Sequence, residues 1–182
     1  MNKPTKRERS RIKIMHAAKG LFDEYGVDNV TFQMIAERAD MCRTTVFNHF
    51  KSMNDLLVAL TMQEMEDIVE YCESRGLKGR ELLYGLIEKI VEDTACYPAF
   101  ASTLIDSALI NNEGESPLKT VENIMIRGLE DEGFTDIEHK LILLEGIYFG
   151  MSNHYHLNSK EFNVEDMIRE SRILLDRILV KY

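Results

Sequence analysis

One stretch, Thr31 to Asp55 (TFQMIAERADMCRTTVFNHFKSMND), constrains the fold of this chain more than any other, because it carries three helix signals with almost no chain between them. The Thr31 hydroxyl can cap a helix, and Val30 and Ile35 occupy the two positions of a hydrophobic staple around it. Ile35, Ala36 and Ala39 give that helix a narrow apolar face. Asp40 and Met41 interrupt it before a second run, in which Val46 and Phe50 lie one turn apart with Phe47 beside them. Ser52 and Asp55 then form the S-x-x-D capping box of a third helix. Two short helices joined by so tight a turn have the form of a helix-turn-helix at about residues 31–50, with 42–50 as the recognition helix.

The flanking sequence supports this reading. A basic arm (Lys3, Lys6, Arg7, Arg9, Arg11, Lys13) leads into a helix whose Ile14, Ala17, Ala18, Leu21, Phe22 and Tyr25 form one buried stripe, and Gly26 is expected to end it in a left-handed conformation. Leu21 and Phe22, Ile35 and Ala36, and Val46 and Phe50 can then close a small three-helix core. After Ser52 a long helix runs to the break at Gly76 and Gly79. A fifth spans Arg80 to Cys96 and ends at Pro98, and a sixth carries Phe100, Leu104, Ile105 and Ala108. A seventh starts at Ser116-Pro117 and stops at Gly133, an eighth follows a Thr135–Glu138 capping box, and a ninth is capped by Asn163. Three prolines, ten glycines and no long β-branched run agree with an all-α chain. The expected architecture is an N-terminal three-helix helix-turn-helix domain over 1–51 and a helical ligand-binding and dimerisation domain over 52–182, about nine helices in all.

Charge divides the chain at the same place. Residues 1–54 carry 10 Lys/Arg against 6 Asp/Glu, whereas 55–182 carry 12 against 25, so a basic end is joined to an acidic body. That is what a protein with one end against phosphate requires, although solvated faces can show such asymmetry by chance. No apolar stretch approaches a membrane span and the basic N-terminus has no apolar core behind it, which leads to the expectation of a cytoplasmic protein without membrane contact. Cys42, Cys72 and Cys96 are odd in number and lack a CxxC, arguing for reduced thiols. His154 and His156 are two apart on a helix and diverge, so no metal site is expected. No nucleophile–base pair, phosphate loop or paired-carboxylate signature is present, so the chain reads as a non-enzyme that needs no cofactor.

In the last two helices, Ile137, Leu141, Leu144, Tyr148, Met151 and Tyr155, and then Val164, Ile168, Ser171, Leu175, Ile178 and Tyr182, alternate steps of four and three. Two such seams suggest a four-helix homodimer interface built from Leu141, Leu144, Tyr148, Met151, Tyr155, Ile168, Ser171, Leu175 and Ile178. The alternative is that both seams bury within the chain.

Taken together, Ala17-Ala18, Leu21-Phe22, Tyr25-Gly26, Thr31, Ile35-Ala36, Ala39, the run Thr45 to Ser52 and Asp55-Leu56-Leu57 resemble the N-terminal domain of TetR-family transcriptional regulators over about residues 12–57. The resemblance implies a repressor that binds double-stranded operator DNA as a homodimer and leaves it on binding a small-molecule effector. Arg43, Thr44, Thr45, Phe47 and Asn48 would then face base edges or backbone, while His49, Lys51, Thr31 and Gln33 would meet phosphates. The body is expected to enclose a cavity for a hydrophobic or amphipathic effector, lined by Tyr84, Tyr97, Phe100, Leu104, Met125 and Tyr148. Two rivals are a helical ligand-binding protein without operator binding and a small helical enzyme.

Four residues depart from the family pattern: Asp40 stands in place of Gly, Cys42 of Ser, Phe47 of Tyr and Met53 of Lys. Fewer phosphate partners imply weaker non-specific affinity and a shallower salt dependence. Cys42, at a helix N-terminus beside Arg43, is either a small stand-in for Ser or an oxidation-sensitive thiol on the DNA face.

Overall fold

The computed structural model describes residues 5–103 and 117–180, and among them the chain is helical with no strand. The order is α1 (Lys6–Tyr25), a 3₁₀ turn (Val27–Asn29), α2 (Phe32–Arg38), α3 (Arg43–His49), α4 (Met53–Ser74), α5 (Gly79–Cys96), α6 (98–103), α7 (Pro117–Asp131), α8 (Ile137–Leu157) and α9 (Val164–Ile178). Leu104, Ile105, Ala108 and Ser116 lie outside the described residues.

The local signals act mostly as their chemistry dictates. The Thr31 hydroxyl accepts the Met34 N–H at 3.3 Å, and the Ser52–Asp55 capping box closes in both directions. Asp40 adopts φ 54°, a left-handed conformation that Asp enters more readily than most residues. Three expectations need correction. The basic arm is not a separate tail from Lys6 onward, because Thr5 and Glu8 form a capping box and α1 starts there. Gly26 has the expected positive φ of 76°, but ψ is 149°, so it turns the chain without being left-handed helical. The N-cap of α8 is Asp136, with no side-chain cap bond, rather than Thr135.

Two hydrophobic clusters organise the chain. The first joins α1, α2 and α3 through Leu21, Phe22, Ile35, Ala36, Val46 and Phe50, and also takes Leu56, Ala59 and Leu60 from the start of α4 and Phe100 from α6. The second surrounds α5, whose Leu82, Leu83, Leu86 and Ile87 are fully buried among α4, α7, α8 and α9. Helix α4 contributes Ile68 and Cys72 to it, so one rod spans both cores. At Gly128 a Cβ would sit 2.8 Å from the Leu83 side chain and 3.3 Å from the Gly79 carbonyl, so only glycine lets α7 lie this close to α5.

The four-three seams of α8 and α9 face inward. Leu144, Met151, Tyr155, Ser171 and Leu175 are buried within the chain, and Leu141, Tyr148, Ile168 and Ile178 are half-buried against the same core. These nine residues therefore pack the body, because a helix laid against α5 must spend its most regular apolar stripe there. The apolar residues left exposed on the hairpin are Ile142, Leu143 and Leu157 on α8 and Ile173 on α9.

Candidate functional site

Helix α3 is held from beneath by Val46 and Phe50, which are 0% and 2% exposed, and this fixes which residues face outward. Arg43, Thr44, Phe47 and Asn48 are exposed on it, with Lys51 following; Thr45 and His49 form a half-buried flank. The Lys51 ammonium lies 4.8 Å from the Phe47 ring centroid. Thr31 and Gln33 are exposed at the start of α2; the Thr31 hydroxyl is engaged as the cap, and the Gln33 amide donates to Glu37 at 2.6 Å. Cys42 precedes Arg43 as the N-cap residue without a side-chain cap bond, its Sγ 3.0 Å from the Thr45 hydroxyl. That contact, followed by the Thr45 backbone N–H, lowers the thiol below its ordinary pKa.

The start of α1 borders the same face. Arg11 stacks its guanidinium 4.5 Å from the Phe50 ring centroid, at the end of α3. Burial lowers the His49 pKa, and the nearby positive charges of Arg7 and Arg11 push it the same way. These groups form one basic margin beside α3. The T-x-x-E pattern of Thr5 to Glu8 was the available signal that the basic residues sit on a helix that can reach it.

A cavity of about 120 Å³ lies in the body, walled by α4, α5, α6, α7 and α8 with Lys19 of α1 at its edge. Phe100, Met125 and Tyr148 line it, together with Met65, Ile68, Ile90 and Phe149. Burial raises the Tyr148 phenol to about 12, against the opposite effect of a hydrogen bond with Thr94, so it is a neutral hydroxyl at ordinary pH. Tyr84 and Tyr97 are not among the lining residues. The Tyr84 hydroxyl donates to Asp176 of α9, and the Tyr97 ring packs against the N-terminal cluster beneath the Lys19 ammonium, 4.4 Å from its centroid. Leu104 lies outside the described residues.

The cavity wall is tied to the N-terminal helices. Lys19 pairs with Glu64 of α4 at 2.8 Å, with both side chains about 15% exposed. The Asp23 carboxylate of α1 accepts the Ala99 N–H at the start of α6 at 3.0 Å, and Phe22 stacks on Phe100 with centroids 6.1 Å apart. Among the described residues no group of three or more His, Cys, Asp or Glu is arranged to hold a metal, and no helix is long and apolar enough to cross a membrane.

Comparisons with known proteins agree with this geometry. Residues 14–60 match the family model of the bacterial regulatory proteins of the tetR family. An HTH-type transcriptional repressor of Mycobacterium tuberculosis is 30% identical over 69 residues, covering 38% of this chain and 37% of that protein. The HTH-type transcriptional repressor AcnR of Corynebacterium glutamicum is 29% identical over 87 residues, 48% of this chain and 44% of the relative. The matches thus span less than half the length of these curated relatives. The fold extends further: the fatty acid degradation regulator FadR of Bacillus halodurans superposes with a TM-score of 0.74 at 20% identity, over 96% of each chain. Residues 14–60 therefore match the N-terminal domain of the bacterial regulatory proteins of the tetR family, and the chain as a whole shares its fold with the FadR structure.

Proposed function

We propose that this protein is a cytoplasmic, non-enzymatic transcriptional repressor that binds a near-palindromic operator as a homodimer and is released by a small-molecule effector. The observation that carries the reading is the row Arg43, Thr44, Phe47 and Asn48, exposed together on a helix whose opposite face is locked by Val46 and Phe50. A recognition helix needs that arrangement to present donors and an apolar edge to the major groove. Thr31, Gln33, His49 and Lys51, with Arg7 and Arg11, surround the row and suit phosphate oxygens. The DNA-binding unit is residues 1–51, steadied by the first turns of α4, and 52–182 is the effector-binding and dimerisation unit.

In this reading the dimer forms through the outward face of α8 and α9. Leu143, Gly146, Gly150, Asn153 and Leu157 follow one another in steps of three and four, all exposed, and a Cβ at Gly146 or Gly150 would meet nothing within 4 Å. Small residues between Leu143 and Leu157 let a second helix approach closely. The effector acts from the cavity on Phe100 and Glu64, which Phe22, Asp23 and Lys19 join to the DNA-binding unit, and it shifts the dimer only by the difference in its affinity for the two states.

Selection of bound sequences from random duplex DNA by the full chain tests the reading. The expected result is one enriched near-palindrome with half-sites about one helical turn apart, roughly 34–36 Å. Its preference over scrambled duplex should fall on the order of a hundredfold in Arg43→Ala/Thr45→Ala. Absence of any enriched sequence, or turnover of a cavity ligand without DNA binding, would overturn it.

A further inference from the structure

We propose that the cavity takes a small lipophilic monocation, its charge held by Glu145 and its apolar part by the aromatic and aliphatic wall. The inference rests on the effector role proposed for this cavity and names the class of molecule that fills it.

Among the described residues four carboxylates line the cavity, on Glu64, Asp93, Glu122 and Glu145, against one cation, Lys19. Three of them are neutralised within the chain: Glu64 by Lys19 at 2.8 Å, Asp93 by Lys89 at 2.8 Å and Glu122 by Lys119 at 2.5 Å. Glu145 has no ion-pair or hydrogen-bond partner among the described residues, although it is half-buried. It therefore leaves one negative charge to be balanced at the wall. Tyr148 and Phe149 follow it at i+3 and i+4 on α8, so the three share one side of the helix, and the two rings lie 5.2 Å apart. A carboxylate beside aromatic rings is the combination that recognises an ammonium whose hydration is weak, because the rings add quadrupole attraction where water is displaced.

Other ligand classes fit less well. An anion would find every lining cation already paired and would face Glu145. A neutral molecule could fill the space beside Met65, Ile68 and Phe100, but would remove water from the Glu145 carboxylate without replacing it. The volume, about 120 Å³, is close to that of engineered cavities that accept a single benzene ring, about 150 Å³, so the fitting part of the ligand is small.

Calorimetric titration of the full chain without DNA, using phenyltrimethylammonium, its neutral isostere tert-butylbenzene, and benzoate, separates these classes. The cation should bind about tenfold more tightly than the isostere, and benzoate should not bind. Glu145→Gln should weaken the cation about tenfold while leaving tert-butylbenzene unchanged, Glu145→Asp should restore part of the loss, and Phe149→Leu should weaken the cation several-fold. Equal binding of cation and isostere, an unaltered cation affinity in Glu145→Gln, or no cation binding at millimolar concentration would each overturn the proposal. Because DNA is absent from this titration, a cation preference without any selected operator would count against the repressor reading alone. A selected operator without a cation preference would count against this inference alone.

Discussion

Helices α3 and α9 both bury one face and expose polar side chains on the other, yet they use those side chains in opposite ways. On α9, Asp176 accepts from Tyr84, Arg172 donates to Glu88 at 2.5 Å, and the carbonyl of Leu179 just beyond the helix takes a bond from Arg80. These bonds strap α9 to α5. On α3, Arg43, Thr44 and Asn48 have no side-chain hydrogen bond or ion pair among the described residues. Their donors are satisfied by water, which phosphate or a base edge can replace at little loss. Polar groups that serve the fold are paired inside it, whereas those of α3 are displayed on a rigid backing and left open.

The largest expected effect separates the inner from the outer face of the α8–α9 hairpin. Leu144 is fully buried, so Leu144→Ala should lower stability by about 2–5 kcal/mol, independently of protein concentration. Leu143, its neighbour, is 52% exposed; Leu143→Ala should change the protomer by less than about 0.5 kcal/mol but weaken dimerisation, so that its melting temperature becomes steeply dependent on concentration. Thermal melts across a concentration series read both. A concentration-dependent loss in Leu144→Ala, with none in Leu143→Ala, would return the inner seam to the interface.

The inward packing of the four-three seams shows what the sequence carries and what it hides. The three-helix domain was legible because its signals are local: a Thr31 cap, a Ser52–Asp55 box and apolar residues one turn apart each act within a few positions. The body helices were legible as helices for the same reason. Which of two stripes on α8 faces inward depends on what α5 presents, and no periodicity contains that. The outward row was also hidden by its chemistry, since Gly146, Gly150 and Asn153 do not register as an apolar seam. The cavity suffered likewise. Phe100, Met125 and Tyr148 are legible because large apolar side chains stand out, although that signal equally picks Tyr84 and Tyr97, which pack elsewhere, while Glu145 reads as an ordinary surface acid until the helices around it are placed.

A smaller test swaps the roles of the two polar faces. Tyr84→Phe removes the hydroxyl bond to Asp176 and should cost about 1 kcal/mol in a urea titration while leaving operator affinity unchanged. Arg43→Ala should do the reverse, with stability within about 0.5 kcal/mol of the parent and operator affinity reduced. Equal effects of both variants on stability would erase the contrast between the helices.

The next effect is titratable. His49 has a folded-state pKa below its ordinary value, from burial and then from Arg7 and Arg11. As pH falls through about 6.5 the unfolded chain gains the proton first, so this group's contribution is fully present above that pH and is lost as pH drops toward the folded value. Phosphate beside His49 would favour the protonated ring and reverse the balance. Operator affinity, followed by fluorescence anisotropy from about pH 7.5 to about 5.5, should therefore rise relative to His49→Gln as the pH falls. Parallel pH profiles for the two proteins would place His49 away from the phosphates.

The smallest effect concerns Met53, the first residue of α4, which is half-buried against the N-terminal cluster. A lysine there can lay its methylenes where the methionine side chain packs and still reach outward with its ammonium. A cation in the first turn opposes the helix dipole by a few tenths of a kcal/mol, roughly, so the variant should fold. If position 53 borders the DNA backbone, Met53→Lys neutralises one more phosphate, and the slope of log K against log salt should steepen by about 0.9. An unchanged slope would mean that this methionine serves the core alone and that the protein's phosphate contacts end at Lys51.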